Sequence, residues 1–162
     1  MIPIRPLYKE DRDAIQRLLI RSTPFNPAEI ATAQGVIDTA LDHPEKEEYS
    51  IYCAHPPLGD LLGFVCFGPI PMTDRCYDLN WIVVDHKFTG RGVGGELLLY
   101  MEETLVKKNG RRIYLDTSSA PQYEPGRRFY ENRGFYIDSV LDDFYRDGYD
   151  KIIYRKNLYP TK

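Results

Sequence analysis

The shortages in this sequence narrow the field first. Three cysteines (Cys53, Cys66 and Cys76) and three histidines (His43, His55 and His86) are all that its 162 residues offer for soft-metal or thiol chemistry. Neither set has metal-ligand spacing, three thiols cannot all pair, and no histidine has a partner at catalytic spacing. The expectation is reduced thiols, no metal and a cytoplasmic protein. No apolar run approaches the ~20 residues of a membrane span, and Met1–Asp11 (MIPIRPLYKED) lacks the apolar core of a signal peptide. There is no surplus of positive charge either. Lys and Arg number 21 against 24 Asp and Glu, a net charge of −3, which argues against a nucleic-acid partner. No internal repeat, low-complexity tract or long linker divides the chain. One domain over residues 1–162 is therefore expected, large enough to bury about 70% of its unfolded surface.

What is present in quantity is glycine at one place. Leu79–Gly95 (LNWIVVDHKFTGRGVGG) is an apolar strand, a short linker and then Gly90, Gly92, Gly94 and Gly95 before an amphipathic helix striped by Val93, Leu97, Met101 and Leu105. Glycines let backbone N–H groups approach an anion, and the helix after them points its positive end at the same spot. The pattern predicts a site for a phosphorylated ligand.

Periodicity orders the rest. Ile2–Arg5 reads as a strand. Asp11 or Asp13 caps a helix carrying Ile15, Leu18 and Leu19 on one face. Asn26-Pro27-Ala28-Glu29 opens a second helix with Ile30, Ala33, Ile37 and Leu41 at helical spacing. Glu48–Ala54 and Leu61–Phe67 are strands, as is Tyr77–Asp85. The glycine-led helix ends at Lys107-Lys108-Asn109-Gly110. Arg112–Thr117 is a strand, Gly126–Asn132 a short helix, and Phe135–Val140 with Asp150–Arg155 a closing strand pair around Arg146-Asp147-Gly148. The order is β-α-α-β-β-β-α-β-α-β-β, an α/β chain with one mixed sheet and helices on both faces.

Gly90-Arg91-Gly92-Val93-Gly94-Gly95 satisfies the dinucleotide pattern G-x-G-x-x-G literally, with Asp116 placed as the acidic ribose partner. Two features oppose that reading: Asp85–Thr89 separate the strand from the glycines, and too few residues come after Asp116 to build further βαβ units.

Tyr77–Gly95 resembles instead the acyl-coenzyme A site of the GNAT (GCN5-related) N-acetyltransferase superfamily. There a strand leads into [Q/R]-x-x-G-x-[G/A] at a helix start. Here Ile82-Val83-Val84-Asp85 supplies the strand and Thr89-Gly90-Arg91-Gly92-Val93-Gly94 the loop. Phe129-Tyr130-Glu131-Asn132-Arg133-Gly134-Phe135 resembles the superfamily's FYE-x-x-GF signature, and the element order is also similar. Thr89 replaces the leading Gln or Arg, and Ser118–Tyr123 lacks the asparagine that often holds the pantetheine arm.

The resemblance implies acetyl-CoA as donor and direct transfer of its acetyl group to a primary amine in a ternary complex. It would put the diphosphate on the amides of Thr89, Gly90, Arg91, Gly92, Val93 and Gly94, with Gly95 beside them, and the pantetheine arm along Ile82, Val83 and Val84. The Val84 amide, near the strand's bulge, would polarise the thioester carbonyl, and Tyr130 would donate to the departing thiolate. Asp116 would be the base, with Asp78 a weaker candidate or ordered water instead. The acceptor, a small molecule or a peptide, would approach Ser22–Glu29 and the hairpin tip Leu141–Tyr149. A homodimer is a common assembly in the family. Two alternatives carry different consequences: a non-catalytic acyl-CoA-binding module binds the donor without releasing thiol, and a dinucleotide-binding oxidoreductase ignores coenzyme A.

Overall fold

The computed structural model describes residues 2–159. Its elements follow the expected order: β1 (Ile4–Pro6), α1 (Arg12–Ser22), α2 (Pro27–Asp42), β2 (Ser50–Ala54), β3 (Gly63–Pro69), β4 (Cys76–Val84), α3 (Val93–Lys107), β5 (Arg112–Ser118), α4 (Glu124–Glu131), β6 (Tyr136–Arg146) and β7 (Tyr149–Asn157). The α2 start forms as its sequence dictates. Asn26 accepts the Glu29 amide at 2.9 Å and Pro27 occupies the first turn, where its missing N–H costs nothing.

The α1 start forms differently. Asp11 precedes the helix, but its side chain does not cap it. Its carboxylate takes Arg5 through both guanidinium arms, at 2.7 and 2.9 Å, and the Tyr8 amide at 2.8 Å. The Arg5 guanidinium holds this carboxyl below the usual range against the opposing effect of burial. A charged bidentate partner is roughly twice as strong as a neutral cap, so the longer-range contact wins.

One seven-stranded sheet, ordered β1-β2-β3-β4-β5-β7-β6, organises the molecule. β3 lies in its interior and is buried on both faces: Val65 and Phe67 join one core, Phe64 and Cys66 the other. The first core holds Leu97, Leu98, Met101 and Leu105 of α3, with Phe129 and Tyr130 of α4 packed against it. The second holds Ile15, Leu18 and Leu19 of α1 and Ala33 and Ile37 of α2. The helical stripes read from the sequence are thus the faces that clamp the sheet from either side.

Two features of the strands position the site. Register shifts between Cys66 and Phe67 leave Asn80 without a partner on β3, so the β4 bulge sits at Asn80 and not beside Val84. The closing pair is longer than the sequence suggests, because β6 continues to Arg146. The stretch expected as the hairpin tip, Leu141–Tyr149, is mostly strand with a register shift between Leu141 and Arg146. Asp143 turns there at φ 53°, its amide donating to Asp150 at 2.9 Å and its carboxylate accepting Gly148 N–H at 2.8 Å. Side-chain acceptance of local amides makes a bulge where periodicity alone implies a loop.

Candidate active site

A gap in the sheet defines the site. β4 and β5 pair in parallel only at Cys76–Asp78 with Arg112–Tyr114. Beyond Asp78, β4 continues to Val84 while β5 stays with β7 through Ser118, so the two strands part. The Asp85 amide donates back to Leu62 at 2.8 Å, on the β3 side. Amides alternate along a strand, so those of Ile82 and Val84 face the gap and that of Val83 faces β3. Among the residues expected to hold the pantetheine arm, Ile82 and Val84 therefore offer free backbone donors and Val83 contributes packing in the core.

The gap runs into the glycine segment through a short 3₁₀ turn, His86–Phe88. Asp85 anchors that turn from the interior, with only 3% of its surface exposed. Its carboxylate accepts Arg21 of α1 at 2.6 Å and the Lys87 amide at 3.1 Å. Burial pushes Asp85 up, but the Lys87 amide and Arg21 outweigh it and the net shift is downward. No sequence signal exposes this tie, because its two ends lie 64 positions apart. Asp85→Ala is expected to cost about 2 kcal/mol, since Arg21 can rehydrate. The measurement is the urea midpoint against pH. A carboxyl depressed in the folded state stabilises above its ordinary value, about 4, and ceases to as pH falls through its folded value. The gap between variant and wild type therefore narrows in acid.

The four glycines divide into two roles. Gly90 and Gly92 adopt φ of +79° and +85°, with open space where a Cβ would stand. Gly92 is the N-cap of α3 and brings no side chain to cap it, so the amides of Val93, Gly94 and Gly95 are left without a side-chain partner. Thr89 is extended just before this turn, and the Arg91 guanidinium lies over the Phe88 ring at 5.5 Å. Gly94 and Gly95 belong to the helix and serve its contact with α4 and the turn that closes it. A Cβ on Gly94 would lie 3.0 Å from the Phe129 ring, and one on Gly95 would lie 3.0 Å from the Arg133 guanidinium. They let the FYE segment press against the first turn of α3, a reason for glycine that the anion reading alone does not supply.

Tyr130 sits in that segment, its ring in edge contact with Phe129 at 5.3 Å and Phe135 at 5.7 Å, and near Tyr154. Burial pushes its phenol up to about 12, and its hydroxyl makes no hydrogen bond to another described residue. Glu131 beside it is engaged elsewhere, accepting Tyr154 Oη at 2.7 Å.

The carboxylates assemble where β4 and β5 part. Asp78, half-buried on β4, stands in register with Tyr114 at the last residue pair before the strands separate. Burial, then the charge of Asp116, push its carboxyl up, against an opposing pull from Lys151. Asp116 is exposed on β5, with Lys151 Nζ of β7 at 3.7 Å. The same ammonium lies 4.6 Å from the Phe144 ring centre. Tyr145 rises through burial and its contact with Asp116. Tyr123 is pushed up to about 12 by burial and by Glu29, whose Oε2 accepts its hydroxyl at 3.3 Å. The first turn of α2, the β5–α4 link and β6 thus meet at one place, which the sequence indicates only through the segments Ser22–Glu29 and Leu141–Tyr149.

The model of the acetyltransferase (GNAT) family matches residues 12–135. A GNAT-family protein from Desulfovibrio desulfuricans is 34% identical, with 98% of this chain and 100% of that chain covered and a TM-score of 0.90. The ribosomal-protein-S18-alanine N-acetyltransferase from Escherichia coli shares the fold at 18% identity, covering 100% and 97% of the two chains with a TM-score of 0.78. The PaiA N-acetyltransferase from Thermoplasma acidophilum, solved in complex with coenzyme A, does so at 21% identity, 97% and 99% coverage and a TM-score of 0.73. No curated protein sequence matches. With a seven-stranded sheet that parts between β4 and β5, a glycine turn opening α3 and this family match, the chain is an acyltransferase and belongs to the GNAT acetyltransferase family.

Proposed function

We propose that the chain moves an acetyl group from acetyl-CoA to a primary amine by direct attack in a ternary complex, with residues 1–162 acting as one unit. The observation that carries this reading is the continuous donor surface from the free β4 edge into the uncapped start of α3. A thioester on a peptide-like arm with a diphosphate behind it matches such a surface: the arm extends the strand edge and the diphosphate meets helix amides. The coenzyme A complex of the PaiA relative supports the same donor. The amides of Gly90–Gly95 would take the diphosphate, with Thr89 and Arg91 flanking it. Ile82 and Val84 would hold the arm, with Val84 N–H donating to the thioester oxygen as negative charge builds there.

Tyr130 is the candidate donor to the departing sulfur. Between the two candidate bases, burial and position favour Asp78, because Asp116 faces solvent and already has Lys151 beside it. The acceptor would enter past Glu29, Tyr123 and Tyr145, where carboxylates and aromatic rings suit a cationic amine. Its identity, small molecule or peptide, is a matter for an amine panel. The three cysteines are free and buried, Cys53 with its thiol pushed up to about 12 by burial, which supports a reducing, cytoplasmic setting. Among the described residues no helix is long and apolar enough to cross a membrane.

The test is thermal unfolding with saturating acetyl-CoA, with NAD and NADP in parallel. At a hundred times its dissociation constant a ligand adds about 2.7 kcal/mol, which at this size raises the midpoint by roughly 5–10 °C. A shift with acetyl-CoA alone, followed by thiol release with an amine, is the expected result. Binding without thiol release for any amine would make the chain a non-catalytic module, and a shift with a dinucleotide alone would overturn the reading.

A further inference from the structure

Arg133 sets a cation between the end of α4, whose last-turn carbonyls favour it, and the start of α3, which favours an anion instead. Its guanidinium lies against the first turn of α3: a Cβ on Gly95 would meet one terminal nitrogen at 3.0 Å, Nε at 3.4 Å and the central carbon at 3.6 Å. The group lies over the Phe129 ring, 3.9 Å from its centre, and its other terminal nitrogen donates to the Phe129 carbonyl at 3.2 Å. The ring contact and the hydrogen bond hold the group in place and leave further N–H donors to spare.

A helix start carries partial positive charge, so a cation beside it is repelled. Among the described residues no carboxylate lies within ion-pair distance of Arg133 to offset this. Glu96 is the acid in that first turn, and its carboxylate instead accepts the Ile2 amide at 2.9 Å. Arg91, in the glycine turn, is a second cation there without an ion pair among the described residues, its guanidinium over the Phe88 ring. Two guanidiniums without a carboxylate partner among the described residues thus flank a set of uncapped amides, each over an aromatic ring and Arg133 the closer of the two.

We propose that Arg133 is a phosphate ligand of the coenzyme, adding a charge-assisted contact to those of the α3 amides. The inference rests on the coenzyme reading above. Coenzyme A carries a diphosphate and a separate ribose 3′-phosphate, and either supplies the oxyanion that the guanidinium fits. Phe129 then acts as the platform that holds the donor group, and Gly95 as the position whose missing side chain admits it.

The experiment is calorimetric titration of coenzyme A and of dephospho-coenzyme A into wild type, Arg133→Met and Arg133→Lys. The unfolding midpoint of each ligand-free protein is measured alongside. Methionine keeps a polarisable contact with the ring and removes the charge. The expected result is about tenfold weaker coenzyme A binding in Arg133→Met, the loss of one charge-assisted contact, and partial recovery with lysine. If the loss vanishes with dephospho-coenzyme A, the 3′-phosphate is the partner; if it is equal for both ligands, the diphosphate is. Both outcomes support the proposal. Unchanged affinities in both variants, while wild type binds, overturn it and leave Arg133 as packing between α3 and α4. Should Arg133→Met unfold, Arg133→Lys carries the test, because a phosphate ligand loses affinity with the fork geometry while mere packing leaves affinity unchanged. Failure of wild type to bind either coenzyme would instead overturn the coenzyme reading itself.

Discussion

Replacing Tyr130 with phenylalanine is expected to lower kcat by about 10–100-fold while leaving coenzyme affinity within a factor of about two. The ring is what α4 and the core see, through Phe129, Phe135 and Tyr154, so the variant keeps its packing. Only the hydroxyl goes, and it has no partner among the described residues. The raised phenol decides what kind of donor it is. With its value pushed up to about 12, Tyr130 is a weaker acid than a thiol, whose ordinary value is about 8.5. A full proton transfer from phenol to thiolate is uphill, so the phenol would stabilise the departing sulfur by a hydrogen bond and keep its proton. Two readouts separate this from general-acid catalysis. The alkaline side of the pH–rate profile should be the same in wild type and Tyr130→Phe up to about pH 10, because Tyr130 stays neutral throughout. The deficit should also shrink with thioesters whose leaving thiol is more acidic. An alkaline limb that disappears with the hydroxyl would overturn this role.

Asp78→Asn should lower kcat by about 100-fold, the lower end of what a positioned base contributes. A carboxylate does not strip an ammonium of ordinary value near 10; the neutral fraction of the amine, its first proton already lost to solvent, attacks the thioester, and Asp78 accepts the second proton as the new C–N bond forms. Asp116→Asn is expected to behave differently. Asp116 raises Asp78 by like charge, so removing it makes Asp78 easier to ionise. The acid limb of kcat/KM should move to lower pH while the plateau changes little. Lys151→Met should move that limb the other way, because Lys151 pulls Asp78 down. A large plateau loss in Asp116→Asn with an active Asp78→Asn would return the base to Asp116.

Those two aspartates show what the sequence can and cannot carry. Strand assignment places both on β4 and β5, since alternation and terminators are local signals, and the helical stripes of α1, α2 and α3 predict the faces that are buried. The glycine turn is legible for the same reason: Gly90 and Gly92 need positive φ within a few residues. The relative burial of Asp78 and Asp116 is not local. It depends on where β4 and β5 part and on Lys151, which arrives from a strand much later in the chain. The Glu29–Tyr123 contact spans 94 positions and the Arg21–Asp85 tie 64, so neither leaves a pattern to read. Gly94 and Gly95 are instructive in another way. Their presence is legible, but their packing against Phe129 and Arg133 is a property of two motifs meeting.

The strand order has a consequence for how the polypeptide is made. β7 comes seventh in chain order yet lies inside the sheet, between β5 and β6. During synthesis, β5 emerges with three residue pairs to β4 and its other edge bare along Arg112–Ser118 until Tyr149–Asn157 has left the ribosome. An open interior edge is a template for wrong pairing. A nascent chain stalled before Tyr149 is therefore missing an inner stave of its sheet, and the half-built site waits on residues far from any glycine of the α3 turn.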